Sequence, residues 1–198
     1  METYLTIKES REAELTEQRS RFLSYISPAK DKEEVEAFLA RIRSMHPQAT
    51  HVCWAYNIGA PDNPSSYYSD DGEPSGTAGQ PILQSIKHEK LDNVVLAVVR
   101  YFGGIKLGVR GLIDTYRAAA QLAVAKCQII EEKAKTELPF SCSYQAYNTL
   151  LYKVEQMEGA IVSPTFGEKI EGVIVIPRAR KQELENIIKD LTGYGASK

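Results

Sequence analysis

The spacing of apolar residues in the first quarter of the chain predicts strands followed by one helix. β-Branched and aromatic residues recur with partial alternation over 4–7 and over 13–26, which is typical of strands. In residues 31–45, Asp31 precedes an acidic first turn and Glu34 follows three positions later, a capping-box pattern. The apolar residues of this helix recur every three to four positions and share one face: Val35, Phe38, Leu39 and Ile42.

Two further apolar segments predict the strands at the centre of a sheet. Side chains alternate between two faces in THVCWAYNIG, so that one face carries Val52, Trp54, Tyr56 and Ile58 and the other carries His51, Cys53, Ala55 and Asn57. NVVLAVVRYF is apolar almost throughout, which predicts a strand covered on both faces. Two helices are predicted around it, PILQSIKHEKL before it and LIDTYRAAAQLAVAKC after it.

The last third of the chain predicts a second, smaller domain. The charge run EEKAKTE, at 131–137, is the best boundary, and we interpret it as a solvated connector. Beyond it the pattern predicts a strand, a helix, two strands and a final helix. That order is typical of a small α+β sandwich with two helices on an antiparallel sheet. We therefore predict an α+β protein with two domains, residues 1–133 and residues 134–198.

Composition and charge exclude several classes of protein. The formal net charge is −2 and 43% of residues are hydrophobic, which is ordinary for a globular chain and unlike a broadly basic nucleic-acid binder. Three cysteines are widely spaced and form no C-x-x-C motif, so we expect free thiols in a reducing compartment. No apolar run is long enough to span a membrane. We expect a soluble cytoplasmic protein without a membrane partner, and its oligomeric state stays open.

The segment SDDGEPSGTAGQP, at residues 69–81, places three carboxylates beside a glycine-rich loop. Asp70, Asp71 and Glu73 repel one another unless cations, hydrogen-bond donors or water relieve the repulsion. Three interpretations stay open: a tight turn in which Asp caps backbone N–H groups, a contact with a neighbouring arginine, and a Mg²⁺ site. The spacing does not match a calcium-binding loop, and no other cofactor is indicated.

The glycine-rich half of this segment leads into a predicted helix. Gly76 and Gly79 flank that step, so backbone N–H groups could converge on an anion beside the Ser75 and Thr77 hydroxyls. The segment lacks the terminal G-K-[ST] of a Walker A loop and is not G-x-G-x-x-G. The alternative is that both glycines serve close packing of the helix on a strand.

A second loop, RYFGGIKLGVRG, concentrates positive charge. Arg100 ends the central strand, and Lys106 and Arg110 are predicted to lie in the loop. With Arg117 they make four cations against one acid, Asp114. Such a loop favours salt-sensitive contacts with phosphates, and the alternative is ion pairing with the acidic cluster.

We expect the two loops to face each other across one cleft, so that the carboxylates position the cations. If Asp71 pairs with Arg100, charge reversal at either residue is harmful and the two reversals partly compensate when combined. Strictly additive effects would contradict the pairing.

No catalytic residue emerges from the sequence. His51 and Cys53 share a strand face, but no Asn or Asp is indicated that would orient a thiol–imidazole pair. Three scattered histidines do not make a zinc site. Trp54 and the tyrosines at 67 and 68 could stack on nucleic-acid bases, although the apolar strand face of Trp54 favours a core position.

The segments SDDGEPSGTAGQPIL and VVRYFGGIKLGVRGL together resemble the signature of the IMPACT family, the YigZ-type proteins included. The resemblance covers the chain to about residue 133. It implies a ribosomal-protein-like N-terminal sheet backed by helices, and a ferredoxin-like second domain similar to the C-terminal domain of elongation factor G. In one departure, Arg110 precedes Gly111 where the family usually has a second Gly-Gly pair. That departure favours a side-chain contact with phosphate at this loop.

The resemblance implies a nucleic-acid or ribosome-associated binding protein with a role in translation regulation, and we favour binding over catalysis. Three cations would contact RNA phosphates: Arg100, Lys106 and Arg110. Four residues would supply donors: Ser75, Gly76, Thr77 and Gly79. Three acids would position the cations: Asp70, Asp71 and Glu73. Two alternatives stay open, an enzyme acting on a phosphorylated small molecule in the same cleft and a protein–protein regulator of translation factors.

Overall fold

The computed structural model describes residues 3–60 and 63–192. Within these residues the chain forms ten strands and five α-helices. The strands are β1 Thr3–Ile7, β2 Arg11–Glu17, β3 Ser20–Pro28, β4 His51–Ala60, β5 Asn63–Ser69, β6 Val94–Tyr101, β7 Ile129–Lys133, β8 Lys135–Cys142, β9 Ala160–Phe166 and β10 Ile170–Pro177. The helices are α1 Lys32–Met45, α2 Gly79–His88, α3 Gly108–Ala125, α4 Tyr144–Gln156 and α5 Lys181–Thr192.

Contacts divide the chain into two compact units. One unit spans Tyr4–Glu132, and the other contains Thr3 and the described residues from Lys133 onward. Residues 193–198 of the predicted second domain lie outside the described residues. None of the described helices combines the length and the apolar character that crossing a membrane requires.

A five-stranded antiparallel sheet forms the centre of the Tyr4–Glu132 unit, in the order β2-β3-β6-β4-β5. The predicted central strand is confirmed, because β6 lies in the middle and is buried from Val94 to Arg100. Helices α2 and α3 cover one face of the sheet, and α1 covers part of the other. Both faces of β6 therefore contact apolar side chains, which explains its unbroken hydrophobic run.

The predicted alternation of β4 is confirmed. Cys53 and Ala55 belong to the core under α2 and α3, whereas Val52, Tyr56 and Ile58 belong to the core under α1. Trp54 packs against the α1-side core but keeps part of its surface exposed.

Helix α1 begins as its sequence predicts. The Asp31 carboxylate accepts a hydrogen bond from the Glu34 backbone N–H at 2.8 Å, and the Glu34 carboxylate accepts one from Lys30 N–H at 2.8 Å. The four predicted core residues of this helix are all buried: Val35, Phe38, Leu39 and Ile42. Local capping and a single apolar stripe are sufficient to place this helix.

Two of the differences from the predicted boundaries bear on the candidate site and on the division of the chain. Helix α3 begins at Gly108, so Arg110 lies in its first turn and not in the loop. The added turn contains two glycines, Gly108 and Gly111, each costing at most about 1 kcal/mol in a helix. An ion pair between Arg110 and Asp114 at i, i+4 supports this turn. The predicted connector at 131–137 is also wrong, because β7 and β8 occupy it. Exposed charged residues alternate there with less exposed ones, the period of a strand.

The second unit confirms the predicted β-α-β-β-α order. Its antiparallel sheet has the order β8-β10-β9, and α4 and α5 pack on it around one apolar core. Leu150 and Val154 of α4 and Leu184 and Ile188 of α5 share that core with the strands. The chain is therefore an α+β protein.

Candidate functional site

The beginning of β4 and the end of β6 lie side by side and bring distant polar residues together. His51 is the cross-strand neighbour of Arg100. A cavity of about 440 Å³ opens at this end of the sheet. Its polar lining includes His51, Glu73, Arg100 and Lys106, and its apolar lining includes Phe102 and Leu112. Such a volume is in the range of small-molecule sites.

A buried ion pair lies at this cavity. Arg100 Nη1 donates to Glu73 Oε1 at 2.6 Å, and the two side chains are only 6% and 4% exposed. The Tyr116 hydroxyl donates to the same Glu73 oxygen at 2.8 Å. The Arg100 guanidinium carbon also lies 5.4 Å from the ring centroid of Phe22 and 5.3 Å from that of Phe102. Hydrogen bonds therefore stabilise the buried Glu73 carboxylate, and cation–π contacts with two aromatic rings add to the stabilisation of the Arg100 guanidinium.

The predicted pairing of Asp71 with Arg100 is wrong, because the partner of Arg100 is Glu73. The Asp71 carboxylate instead accepts a hydrogen bond from Val52 N–H at 2.7 Å. Backbone geometry explains this difference. Asp71 and Gly72 have positive φ values, 44° and 88°, so the chain reverses between Asp71 and Glu73 and directs their side chains apart.

The third carboxylate, that of Asp70, fills the glycine-rich loop. Its Oδ2 accepts a hydrogen bond from Gly76 N–H at 2.8 Å, and its Oδ1 accepts bonds from Ala78 N–H at 3.0 Å and Gly79 N–H at 2.8 Å. These N–H groups form the kind of concave donor set that binds anions. In this structure the chain itself supplies the anion. Asp70, Asp71 and Glu73 each bind different partners, so their negative charges are not collected at one point.

This arrangement corrects the donor role predicted for the loop. The N–H groups of Gly76 and Gly79 are taken by Asp70, and buried Thr77 donates both its N–H and its hydroxyl to the Pro74 carbonyl. Gly79 also permits close packing, since a Cβ there would lie 2.7 Å from the Ser69 carbonyl oxygen. Ser75 is exposed, and its predicted contact with a ligand stays a prediction.

The predicted cations separate into two groups. Lys106 lines the cavity and makes no ion pair within residues 3–60 and 63–192. Arg110 pairs with Asp114 at 2.8 Å, and Arg117 lies 3.3 Å from the same carboxylate. The Arg110 side chain is 84% exposed and does not line the cavity. The structure thus brings Lys106 to Glu73 and Arg100 and leaves Arg110 outside.

His51 is held in one orientation at the cavity. Its Nδ1 lies 2.8 Å from the Asp71 carbonyl oxygen, which can only accept, so Nδ1 carries the proton. Its Nε2 lies 4.0 Å from Glu73 Oε1. In the neutral ring Nε2 is therefore the basic nitrogen, next to a carboxylate and a cavity.

The thiol of Cys53 is unsuited to nucleophilic catalysis. It lies 3.0 Å from the Asp70 carbonyl oxygen, to which it donates, and 3.4 Å from the Tyr116 hydroxyl oxygen. Burial raises the pKa of this thiol, and the acids nearby raise it further. Burial likewise raises the pKa of Tyr116, so both groups stay protonated and act as donors.

Sequence reasoning missed three residues of the site. Tyr116 gave no signal, because it looks like an ordinary apolar position of an alanine-rich helix. Phe22 and Phe102 became relevant only when the sheet placed them beside Arg100. No group of three His, Cys, Asp or Glu side chains in the described part of the chain is arranged to hold a metal ion.

Comparisons with known proteins agree on one family. The family model for the Impact N-terminal domain matches residues 18–124. An IMPACT family member of Haemophilus influenzae is 35% identical over 180 residues, which cover 89% of this chain and 86% of that protein. IMPACT family member YvyE of Bacillus subtilis is 33% identical over 171 residues, or 86% and 78% of the two chains. A crystal structure of a hypothetical protein superposes with a TM-score of 0.81 at 29% identity, covering 96% of this chain and 93% of that one.

Proposed function

The chain belongs to the IMPACT family, and from that premise we propose that its Tyr4–Glu132 unit binds a phosphate group of RNA in the cavity beside Lys106. The charge of the cavity lining is the observation that carries this proposal. Glu73 and Arg100 neutralise each other, whereas Lys106 has no carboxylate partner among the described residues. An anion that enters the cavity would meet an ammonium group whose charge is not neutralised.

Two further features support an RNA phosphate as the ligand. Arg100 also lines the cavity. Its Nη1 donates to Glu73 and its Nη2 to Ser20, but its buried Nε has no hydrogen-bond partner in the described structure, so the guanidinium keeps one unused donor. Phe102 lines the same cavity and is 46% exposed. An exposed aromatic ring next to a cation is the usual combination for stacking a base and binding its phosphate.

The expected RNA is that of the ribosome, because the family resemblance implies a role in translation. Co-sedimentation of the full chain with ribosomes, weakening as salt rises, tests this expectation. Binding that survives both nuclease and high salt would instead indicate a protein partner and would contradict the RNA proposal.

Lys106→Ala is expected to weaken RNA binding by at least about tenfold, because one charge-assisted phosphate contact contributes about 1.5–3 kcal/mol. It should also reduce the slope of log affinity against log salt by about 1. Fluorescence anisotropy with a labelled single-stranded RNA, measured at several salt concentrations, gives both values.

Lys87→Ala is the matched control for this measurement. Lys87 is an exposed lysine of α2 that does not line the cavity. The control should bind RNA as the parent chain does. Equal weakening in both variants would indicate a general electrostatic effect and would contradict a site at Lys106.

A second candidate function rests on His51. Its Nδ1 is fixed on the Asp71 carbonyl and its Nε2 lies at the cavity, which is the arrangement of a general base. We propose as the alternative an enzyme that acts on a phosphorylated small molecule in this cavity.

Turnover assays with nucleotides and sugar phosphates, with and without Mg²⁺, test the alternative. Activity should fall about 10²–10⁴-fold in His51→Ala if the imidazole transfers a proton. In Lys106→Ala the Michaelis constant should rise while His51 remains competent. Activity that survives His51→Ala would exclude this role of the imidazole.

A further inference from the structure

We propose that a second cavity, on the opposite face of the five-stranded sheet, binds a nucleotide. It has a volume of about 440 Å³ and lies between α1 and the strands β4 and β5. Trp54, Tyr56 and Tyr67 line it from the strands. The face is opposite to that of the first cavity. Tyr56 belongs to the core on the α1 side, whereas Leu112, which lines the first cavity, belongs to the core under α2 and α3.

The strand side of this second cavity is an aromatic surface at the edge of the sheet. The rings of Trp54 and Tyr56 are stacked, with centroids 5.9 Å apart and planes 14° from parallel. Tyr67 lies 5.6 Å from Trp54 and 6.2 Å from Tyr56 and is 57% exposed. Helix α1 covers only part of this sheet face, and β5 is its edge strand. A planar group can therefore reach Tyr67 and the exposed part of Trp54 and stack on them.

The helix side of the cavity carries an excess of positive charge. Its charged lining residues are Lys32, Glu36 and Arg43, two cations and one acid. All three are exposed, and neither cation makes an ion pair within the described residues. Lys32 and Arg43 are eleven residues apart, which is three turns and about 16 Å along the helix. One stripe of α1 therefore presents two cations, one near each end of the helix, to the same cavity as the aromatic rings.

These two features together select a ligand that is planar on one side and anionic on the other. A nucleotide has this chemistry, since its base stacks on aromatic rings and its phosphate binds a cation. Trp54 Nε1 is buried without a hydrogen-bond partner in the described structure, so this indole is not already committed to another acceptor of the chain. The proposal does not depend on the proposed function of the first cavity.

Trp54 makes the site directly measurable, because it is the only tryptophan of the chain. The full chain is titrated with UMP, AMP, ribose 5-phosphate and a short single-stranded oligouridylate. Excitation is set at the red edge of tryptophan absorption, where nucleotides absorb little. We expect saturable quenching of Trp54 fluorescence by the nucleotides and by the oligonucleotide, and none by ribose 5-phosphate.

Substitutions on each side of the cavity identify the contacts. Tyr67→Ala should weaken binding by at least about fivefold, because a stacked base contributes about 1–3 kcal/mol. Tyr152→Ala is its control, since Tyr152 is a similarly exposed tyrosine of the other unit, at 59%. Arg43→Ala should weaken binding of the oligouridylate, whereas its control Arg41→Ala should not, because Arg41 lies over Phe38 and does not line this cavity.

A free nucleotide and a single-stranded nucleic acid should differ in how their binding responds to the substitutions of Lys32 and Arg43. A free nucleotide occupies one end of the stripe, so its binding should depend on either Lys32 or Arg43. A single strand reaches both ends, so it should bind more tightly than UMP and lose affinity in Lys32→Ala and in Arg43→Ala. Lys106→Ala should leave the quenching by UMP unchanged, because Lys106 lines the first cavity and not this one, and this result separates the two sites.

The proposal is overturned by either of two results. One is the absence of quenching by any nucleotide or oligonucleotide up to millimolar concentration. The other is quenching that Tyr67→Ala, Lys32→Ala and Arg43→Ala leave unchanged, with circular dichroism showing that these variants are folded.

Discussion

Removing either partner of the Glu73–Arg100 pair is expected to lower the free energy of unfolding by about 3–5 kcal/mol. In Arg100→Met the Glu73 carboxylate stays buried and keeps only the Tyr116 hydroxyl as a close donor. In Glu73→Gln the guanidinium stays buried between two aromatic rings without a counter-charge. Each single substitution therefore leaves an uncompensated charge in a medium of low polarity. Urea unfolding followed by circular dichroism measures both losses.

The double variant separates a pair from two independent sites. Combining Glu73→Gln with Arg100→Met removes both charges, so its loss should be smaller than the sum of the single losses by about 2 kcal/mol. The matched control is the exposed pair of Glu14 and Arg21, with a 2.9 Å contact and side chains 47% and 56% exposed. Its single substitutions should have much smaller effects. Additive losses at Glu73 and Arg100 would contradict the buried pair.

The second large effect is expected from Asp70→Ala, which should lower the free energy of unfolding by about 3 kcal/mol or more. The substitution removes the acceptor of three backbone N–H groups, and each buried donor left unsatisfied costs about 1–3 kcal/mol. The structural change should be confined to this loop. Amide hydrogen exchange should therefore become faster at the three donors, Gly76, Ala78 and Gly79. Thermal unfolding and exchange measured by NMR test both parts.

Asp71→Ala is the matched control for Asp70→Ala. The two acids are adjacent in the chain, but the Asp71 carboxylate accepts one backbone N–H, that of Val52 in β4, whereas the Asp70 carboxylate accepts three. Its replacement should cost clearly less than that of Asp70. Inorganic phosphate or sulfate should raise the melting temperature of Asp70→Ala more than that of the parent chain, because an external anion can then occupy the donor set. Equal losses at the two acids would contradict the role assigned to Asp70.

The regular elements were predictable where neighbouring residues determine them. Helix α1 follows from its Asp31 cap and one apolar stripe, and the central position of β6 follows from its unbroken apolar run. The hairpin between β2 and β3 was not visible, because its turn at Gln18 and Arg19 has φ values of 43° and 65° without Gly or Asn. There the pairing of the strands overrides the preference of the turn residues.

The candidate site was predictable in only part of its membership and not in its contacts. The sequence indicated that the acidic loop and the basic loop meet, and Glu73, Arg100 and Lys106 do line one cavity. It did not show that Asp70 occupies the donor set of its own loop. A carboxylate and a phosphate satisfy the same N–H groups, so composition alone cannot distinguish an internal anion from a ligand.

The sequence by itself determined the local periodicities, the helix cap, the order of elements in the second unit and the family, because each depends on residues close together in the chain. Only the tertiary structure decided which carboxylate meets which donor. Glu73 and Arg100 are 27 positions apart, and the three acids differ in direction because of the backbone turn at Asp71 and Gly72. Three carboxylates of similar chemistry therefore have different partners, because the backbone turn directs their side chains differently. The pairing of β4 with β6, which are distant in sequence, places those partners.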